Sequence, residues 1–372
     1  MLTTQLVEKK NLKGLTLQEL QDFVVALGES AFRGKQLFDW LYTREASSFE
    51  TMTSLSKPFR LKLEQAATIE HLRLVESRQS PVDGTTKLLF ELHDGKRIES
   101  VLIPSEPADG GEGMQKRSRL TLCLSTQVGC PLDCAFCATG TMGLVRNLSV
   151  GEIIDQIIQA RPVAHKRITN LVYMGMGEPL MNYDNVMKSV EISTTGMGIA
   201  AQRITISTAG WAERIKQMAD EGRKVKLAVS LHTLDDRLRT RLMPINKKFA
   251  LDALIGAVEY YYRKTKRRVT YEYILFDGLN DTEEDLRRLI KLAKRIPCKV
   301  NIVPFHSIAF TYPEGFAASL KPTSPLRMEQ FIRHLREAHI TVMIRNSAGE
   351  DIDAACGQLA IVSASSPRLE YA

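Results

Sequence analysis

The sequence contains no long hydrophobic run. No apolar stretch approaches the roughly 18 residues that a membrane-spanning helix needs. The opening segment MLTTQLVEKKNLKG also lacks the apolar region of a secretory signal. We therefore expect a cytoplasmic protein with no membrane partner.

Cysteine is scarce as well. Six cysteines in 372 residues are too few for a disulfide scaffold. Four of the six nevertheless lie between Cys123 and Cys137. Clustering of this kind indicates a metal or redox site.

The composition is otherwise that of a globular protein, with 44% hydrophobic and 25% charged residues. The length suits one large domain and a smaller one. Lysine and arginine exceed the acidic residues by 7 charges. This excess favours a polyanionic partner, although charge alone does not identify one.

The first 117 residues contain two different hydrophobic patterns. Within residues 1–70, apolar residues recur at three- and four-residue steps, which predicts a small helical domain in which Gly28 and Gly34 end helices. Residues 71–117 alternate between apolar and polar instead. This pattern predicts a β-hairpin that turns at residues 93–96 and links two domains, followed by a mobile surface loop from Ser105 to Arg117.

Between residues 118 and 360, short apolar strands alternate with amphipathic helices, which is typical of an α/β fold with a parallel sheet. The expected strands are Leu120–Ser125, Asn170–Met174, Arg203–Ser207, Lys226–Ser230, Thr270–Phe276, Lys299–Pro304 and Thr341–Ile344. Six or seven strands favour a partial (βα)6-type barrel over a closed eight-fold one. Residues 361–372 form the predicted tail. The loops at the carboxyl ends of the strands should carry the chemistry.

The loop after the first of these strands reads STQVGCPLDCAFCATG and has a CxxxCxxC spacing, formed by Cys130, Cys134 and Cys137. Three thiolates can hold a cubane iron–sulfur cluster and leave one iron open to an external ligand. A zinc site is the alternative. Zinc ribbons, however, pair two CxxC knuckles, and neither a second knuckle nor a nearby histidine completes such a set here.

The loops after the next three strands carry polar groups. Gly177 and Glu178 lie in GMGEP, where glycine permits close backbone approach and the carboxylate can accept from an ammonium group or a ribose hydroxyl. Ser207 ends the following strand, and the segment Ser230, Leu231, His232 ends the one after it. Such residues are otherwise more often helix caps or hydrogen-bonded core groups.

The CxxxCxxC loop after the first barrel strand resembles the radical S-adenosylmethionine superfamily. The resemblance implies a [4Fe-4S] cluster on the three cysteines, with S-adenosyl-L-methionine bound to the open iron and cleaved by one electron to a 5′-deoxyadenosyl radical. It also implies that the polar loops hold this cosubstrate, through Gly177, Glu178, Ser207, Ser230, Leu231 and His232.

Motifs along nearly the whole chain resemble the bacterial dual-specificity adenine-C2 methyltransferases of 23S rRNA and tRNA. They are RNLS (146–149), MGMGEPL (174–180), SLH (230–232), MPINKK (243–248) and GEDIDAACGQLA (349–360). The resemblance implies methylation of adenosine 2503 in 23S rRNA and adenosine 37 in tRNA, with two cosubstrate molecules per turnover. It also implies an RNA-binding role for the helical domain, and as further partners an electron donor such as flavodoxin or ferredoxin. We expect a monomer.

The same resemblance implies roles for residues outside the cluster motif. Cys356 matches the cysteine that carries the methyl group, and Cys123 matches the one that later forms a disulfide with it. Glu99 matches the proton acceptor. His306 stands where the family usually has an asparagine that binds the cosubstrate, and it can still donate one hydrogen bond. Cys298 matches no role and is expected in the core.

Three alternatives remain open at this point. The relatives that methylate adenine C8 share the cysteine set, although Pro179 resembles the C2 enzymes because the C8 group has alanine there. A radical enzyme acting on a protein or a small molecule would not need Cys356. A non-catalytic iron–sulfur or RNA-binding module would leave GMGEP, SLH and Cys356 without a role.

Overall fold

The computed structural model describes residues 9–105, 118–308, 311, 314–345 and 347–360. Residues 106–117 of the predicted surface loop and the predicted tail, 361–372, lie outside these residues. No helix in the described ranges combines the length and the apolar character needed to cross a membrane.

The amino-terminal part is helical, as predicted. Its elements are β1 (Lys10–Asn11), α1 (Leu17–Ala26), α2 (Ala31–Phe38), a π-helical turn (Asp39–Thr43), α3 (Lys57–Ala66) and β2 (Ala67–Thr68). A capping box of Thr16 and Glu19 begins α1, and Gly28 follows its end. The prediction that Gly34 ends a helix is wrong. Gly34 lies inside α2, because only a residue without a side chain fits against the Gln21 backbone of α1.

The described residues after the helical part contain twelve further strands. They are β3 (Arg73–Gln79), β4 (Thr86–Glu91), β5 (Arg97–Ser105), β6 (Arg119–Cys123), β7 (Gln127–Gly129), β8 (Leu144–Asn147), β9 (Asn170–Tyr173), β10 (Ile204–Thr208), β11 (Lys226–Ser230), β12 (Val269–Ile274), β13 (Cys298–Val303) and β14 (Val342–Ile344).

Amphipathic helices connect the parallel strands. They are α4 (Val150–Ala160), α5 (Tyr183–Thr195), α6 (Ala212–Asp220), α7 (Asp236–Leu242), α8 (Leu251–Thr265), α9 (Glu283–Ala293), α10 (Gly315–Ala318) and α11 (Pro325–Glu337). Short 3₁₀ turns lie at Ala138–Met142, Pro179–Asn182, Ala201–Arg203, Pro244–Lys247 and Glu350–Ile352.

Ten strands form one sheet in the order β14-β13-β12-β11-β10-β9-β6-β5-β4-β3. The seven from β6 and β9 to β14 are parallel neighbours. They coincide with the seven strands expected from the sequence. Within the described residues β14 and β6 do not pair, so the sheet stays open and the prediction of a partial barrel is confirmed.

The predicted hairpin is present as β4 and β5, which pair antiparallel around the turn at residues 92–96. The structure extends it in two ways. An additional strand, β3, pairs with β4, and β5 pairs antiparallel with β6 of the barrel. The hairpin therefore belongs to the barrel sheet, and its register sets Val101 opposite Cys123.

A buried ion pair ties the helical part to the barrel. Lys13 Nζ lies 2.6 Å from Asp155 Oδ1 of α4, and each side chain is 2% exposed. The other oxygen of Asp155 accepts the Leu72 backbone N–H, and Lys13 also donates to His71 Nδ1 at 2.8 Å. These contacts hold the junction between the helical part and β3 against α4.

Candidate active site

The loops at the carboxyl ends of the parallel strands enclose a cavity of about 820 Å³. The three cysteines of the CxxxCxxC motif line it together with polar groups from four other strand ends. The lining includes Cys130, Cys134, Cys137, Gly177, Glu178, Ser207, Ser230 and His232. The structure therefore brings together most of the residues that the sequence analysis grouped as a cluster and cosubstrate site.

The cysteine loop is closed by its own backbone. It runs between β7 and β8, which pair antiparallel. The N–H of Cys130 donates to the Gly143 carbonyl at 2.9 Å, and that of Cys137 donates to the Cys134 carbonyl at 3.0 Å. These bonds fold the loop so that all three thiols face the cavity.

The three thiols lie in surroundings that do not favour a bare negative charge. Burial raises the pKa of each, and the neighbouring thiols raise the pKa of Cys134 further. A cationic iron centre would stabilise the thiolates, so the donor set fits an iron–sulfur cluster.

Glu178 is held rigidly at the cavity wall. One carboxylate oxygen accepts the Leu180 N–H at 3.0 Å and the other accepts the Ala209 N–H at 2.8 Å. Its own N–H donates to Gln127 Oε1 at 2.8 Å. Burial raises the pKa of Glu178, but the backbone donors favour its charged form. The Thr208 hydroxyl also donates to this carboxylate, and the acceptor capacity that remains can serve an ammonium or hydroxyl donor of a ligand.

His232 is a neutral hydrogen-bond donor. Its Nδ1 accepts the Ile274 N–H at 3.0 Å, so the proton of the neutral ring resides on Nε2. Burial, with a smaller effect of Arg239, lowers the pKa of His232 to about 3. The ring packs edge-on against Phe136, with centroids 4.6 Å apart.

The remaining strand-end residues differ in access. Ser207 and Ser230 line the cavity. The side chain of Leu231, which we predicted to bind the cosubstrate, is fully buried and is not among the lining residues. Only its backbone lies close to the site, where its carbonyl accepts from Arg239 at 3.3 Å.

A second, smaller cavity adjoins the first and contains both predicted catalytic cysteines. Cys123 of β6 and Cys356 of the carboxyl-terminal loop line it, and Cys356 lines the three-cysteine cavity as well. Cys356 is exposed and Cys123 is buried, and both are free thiols. Cys356 therefore lies where the two cavities meet.

The carboxyl-terminal loop is anchored to the cysteine loop. The Ala138 N–H donates to the Gly357 carbonyl at 2.7 Å, and the Thr139 hydroxyl donates to the Leu359 carbonyl at 2.6 Å. These bonds hold Cys356 beside Cys137. A chain segment more than 200 positions away is thereby attached to the cluster motif.

Comparison with known proteins agrees with this geometry. Residues 124–293 match the family model of the radical SAM superfamily, and residues 10–69 match that of the ribosomal RNA large subunit methyltransferase N-terminal domain. The probable dual-specificity RNA methyltransferase RlmN of Flavobacterium psychrophilum is 42% identical over 95% of this chain and 98% of its own. That of Christiangramia forsetii is 44% identical over 96% and 97%. The chain belongs to the RlmN family.

A solved structure supports the assignment to the RlmN family. The crystal structure of a radical SAM methyltransferase from Sphaerobacter thermophilus has a TM-score of 0.82 and 39% sequence identity, and the match covers 94% of this chain and 99% of that one. The protein is accordingly a radical S-adenosylmethionine RNA methyltransferase. Its cofactors are a [4Fe-4S] cluster and S-adenosyl-L-methionine, and the three-cysteine cavity has the donors to hold them.

Two residues that the RlmN resemblance singled out lie away from the three-cysteine cavity. Glu99 of β5 is buried 3.3 Å from Lys87 Nζ and lines neither cavity. Burial raises its pKa, and its Oε2 has no hydrogen-bond partner. His306 lines the Cys123 cavity, with Nδ1 3.1 Å from Glu350 Oε1, and the structure does not bring it to Ser207 or Ser230.

The sequence analysis missed two charged residues of this RlmN-family site. Arg345 follows β14 and lines both cavities, and Glu272 of β12 lines the three-cysteine cavity. Glu272 is 5% exposed in an otherwise apolar strand. A carboxylate in such a strand needs a partner, and this signal was available in the sequence. The sequence marked Arg345 only as a polar residue at a strand end, which is a weaker indication of a site.

Proposed function

We propose that this enzyme methylates carbon 2 of adenine in 23S rRNA, at adenosine 2503, and in tRNA, at adenosine 37. The observation that carries the proposal is the shared position of Cys356. It lines the three-cysteine cavity and also the cavity of Cys123. A thiol in this position can receive a methyl group from the three-cysteine cavity and can be attacked by Cys123 from the second cavity.

The target atom explains why a radical enzyme is needed. Carbon 2 of adenine is electron-poor and sp² hybridised, so it does not act as a nucleophile toward a sulfonium methyl group. When bound, the cluster supplies the electron that cleaves S-adenosyl-L-methionine to a 5′-deoxyadenosyl radical, which takes a hydrogen atom from a methyl group on Cys356. Cys130, Cys134 and Cys137 would hold the cluster.

The first role of the protein side chains is nucleophilic. The thiolate of Cys356 attacks the methyl group of one cosubstrate molecule and becomes an S-methyl thioether, while the sulfonium–methyl bond breaks and S-adenosylhomocysteine leaves. The exposure of Cys356 and its place at the edge of the three-cysteine cavity support this step. Glu178 would orient the cosubstrate through its ammonium group, and His232 would donate from Nε2.

The second role is release of the methylated base. After the methylene radical has joined adenine C2, the adduct would have to return one electron to the cluster and lose the C2 proton. Cys123 would then attack the sulfur of Cys356, so that a transient disulfide forms and the electron pair of the broken sulfur–carbon bond goes to the methylene carbon, which takes up a proton. The common cavity of the two cysteines supports this pairing. By resemblance to the family, Glu99 would accept the C2 proton, although it lines neither cavity among the described residues. Burial raises its pKa, which suits a base.

The proposal extends to partners and location. The RNA substrate must extrude its adenine to reach the cavities, and the helical part would contribute to RNA binding. Flavodoxin or ferredoxin would supply electrons to a monomeric enzyme. Because rRNA and tRNA are cytoplasmic in bacteria, we infer that the enzyme acts in the cytoplasm.

The test uses cluster-loaded protein, a reductant and S-adenosyl-L-methionine with unmodified 23S rRNA or tRNA, followed by digestion to nucleosides and mass spectrometry. We expect 2-methyladenosine from both RNAs and none with Cys356→Ala. If 8-methyladenosine forms instead, the C8 alternative is correct. Absence of any methylated adenosine would refute the proposal and favour a substrate other than RNA.

A further inference from the structure

Arg345 is the charged residue at the junction of the two cavities. The residues that line both are Met174, Val303, Arg345, Cys356 and Gly357. Among the described residues that line either cavity, Arg345 is also the sole arginine or lysine. Its guanidinium therefore lies where the two reactive thiols are brought together.

The side chain of Arg345 is held from the three-cysteine side. Its Nη1 lies 3.2 Å from the sulfur of Met174 and 3.9 Å from Glu272 Oε2. Glu272 is itself fixed by Asn301, which donates to its other oxygen at 3.0 Å. Glu272 Oε2 has no hydrogen-bond partner. The described cation that forms an ion pair with it is the Arg345 guanidinium. The Arg345 backbone continues the sheet by donating to the Ile302 carbonyl at 2.9 Å.

The surroundings of Cys123 otherwise disfavour a thiolate. The pKa of Cys123 is raised to about 12, mainly by burial and partly by Cys356, while Arg345 opposes the rise. β5 contributes only apolar Val101 and Ile103 to this cavity wall, and the residue that follows β9, Met174, also lines it. The titratable groups that line the cavity with Cys123 are Cys356, His306 and Arg345, of which only Arg345 carries a permanent positive charge.

We propose that Arg345 is a positioning residue for the release step: its guanidinium supplies the positive charge beside which Cys123 loses its proton and attacks the sulfur of Cys356. This inference rests on the proposed function. In the step, the Cys123 thiol loses a proton and forms a bond to Cys356 Sγ. The electron pair of the Sγ–CH₂ bond goes to the methylene carbon, which takes up a proton. One thiol and one thioether thus become one disulfide and one methyl group, with no external oxidant.

The expected size of the effect follows from the charge. An opposite charge nearby lowers the pKa of an acid by about 1 to 3 units. Removing the positive charge of Arg345 should decrease the fraction of Cys123 that is ionised near neutral pH about tenfold or more. The rate of release should decrease by the same factor. Arg345→Lys retains the charge and should stay within about threefold of wild type. Arg345→Met retains the length of the side chain but not the charge.

The first experiment measures the covalent RNA–protein adduct. Cluster-loaded wild type, Arg345→Met, Arg345→Lys and Cys123→Ala are incubated with cosubstrate, reductant and tRNA at pH 7.5 and at pH 9, and the adduct is quantified on denaturing gels. We expect adduct in Cys123→Ala at both pH values and in Arg345→Met at pH 7.5, with the Arg345→Met adduct declining at pH 9. Adduct in Arg345→Met no higher than in wild type, or insensitive to pH, would overturn the inference.

The second experiment needs no RNA. The exposed Cys356 is converted to its glutathione mixed disulfide in cluster-loaded protein, and release of glutathione by Cys123 is followed against pH. We expect about tenfold slower release in Arg345→Met than in wild type or Arg345→Lys at pH 7.5, with each rate increasing with pH because the Cys123 thiol is mostly protonated over the range measured. Equal rates in Arg345→Met and wild type, or release in Arg345→Lys as slow as in Arg345→Met, would contradict a role in charge stabilisation. No adduct in Cys123→Ala would instead count against the proposed function.

Discussion

The substitution Gly177→Ala tests how closely the GMGEP loop must approach the cysteine loop. Gly177 has φ +98°, and a β-carbon added there would lie 2.6 Å from Gln127 Cβ and 2.9 Å from the Gln127 backbone nitrogen. Ordinary contacts of this kind are 3.4 Å or longer. The two loops would therefore have to separate by about 0.8 Å, because packed protein interiors leave no spare room.

This displacement should weaken cosubstrate binding. A shift of that size stretches the bond from Glu178 N–H to Gln127 Oε1, now 2.8 Å, beyond hydrogen-bonding range. A lost hydrogen bond between neutral groups costs about 1 kcal/mol, which corresponds to about a fivefold higher Kd for S-adenosyl-L-methionine. Equilibrium dialysis with cluster-loaded protein under anaerobic conditions measures this Kd directly.

Gly222→Ala is the matched control. Gly222 also has positive φ, at +62°, but nothing lies within 4 Å of an added β-carbon. Both substitutions therefore share the backbone cost of about 1–2 kcal/mol for a left-handed conformation, and both should lower the melting temperature. Only Gly177→Ala should change cosubstrate affinity. A Kd within twofold of wild type for Gly177→Ala would refute the reasoning.

The remaining predictions concern a cysteine and an ion pair. Cys123→Ala should accumulate a covalent RNA–protein adduct on denaturing gels, whereas Cys298→Ala should lose only stability because Cys298 packs in the core; free RNA alone with Cys123→Ala would contradict the two-cysteine mechanism. Lys13→Met should lower the free energy of unfolding by about 3–5 kcal/mol, because it leaves the buried Asp155 charge without its partner. Lys188→Met, which breaks a more exposed pair, should cost about 1 kcal/mol or less in the same denaturant titration.

Local patterns in the sequence were sufficient for most of the fold. The seven parallel strands were predicted because apolar runs between amphipathic helices have few other stable arrangements. Gly34 was misjudged for a physical reason. A glycine at a helix end and a glycine at a helix crossing look the same in a sequence, and only the packing of α1 against α2 distinguishes them.

The candidate site also contains residues that the sequence could predict and residues that it could not. Cys130, Cys134, Cys137, Gly177 and Glu178 were predictable because each group is contiguous in the chain and follows a strand. For Leu231, cosubstrate binding stays a prediction. The structure adds that its side chain is buried and is not among the lining residues, which the sequence does not show because it does not reveal whether the side chain or the backbone of a strand-end residue faces the cavity.

By itself the sequence determined the chemical groups: three thiols in one short loop, two further cysteines, and polar residues after successive strands. Those are properties of local spacing, which the chain carries whether folded or not. Only the tertiary structure decided that Cys123 and Cys356 share a cavity, that Cys356 also borders the three-cysteine cavity, and that Arg345 lies between them. The proximity of these residues depends on strand order and on hydrogen bonds between segments that are far apart in the chain. No local sequence pattern contains that information.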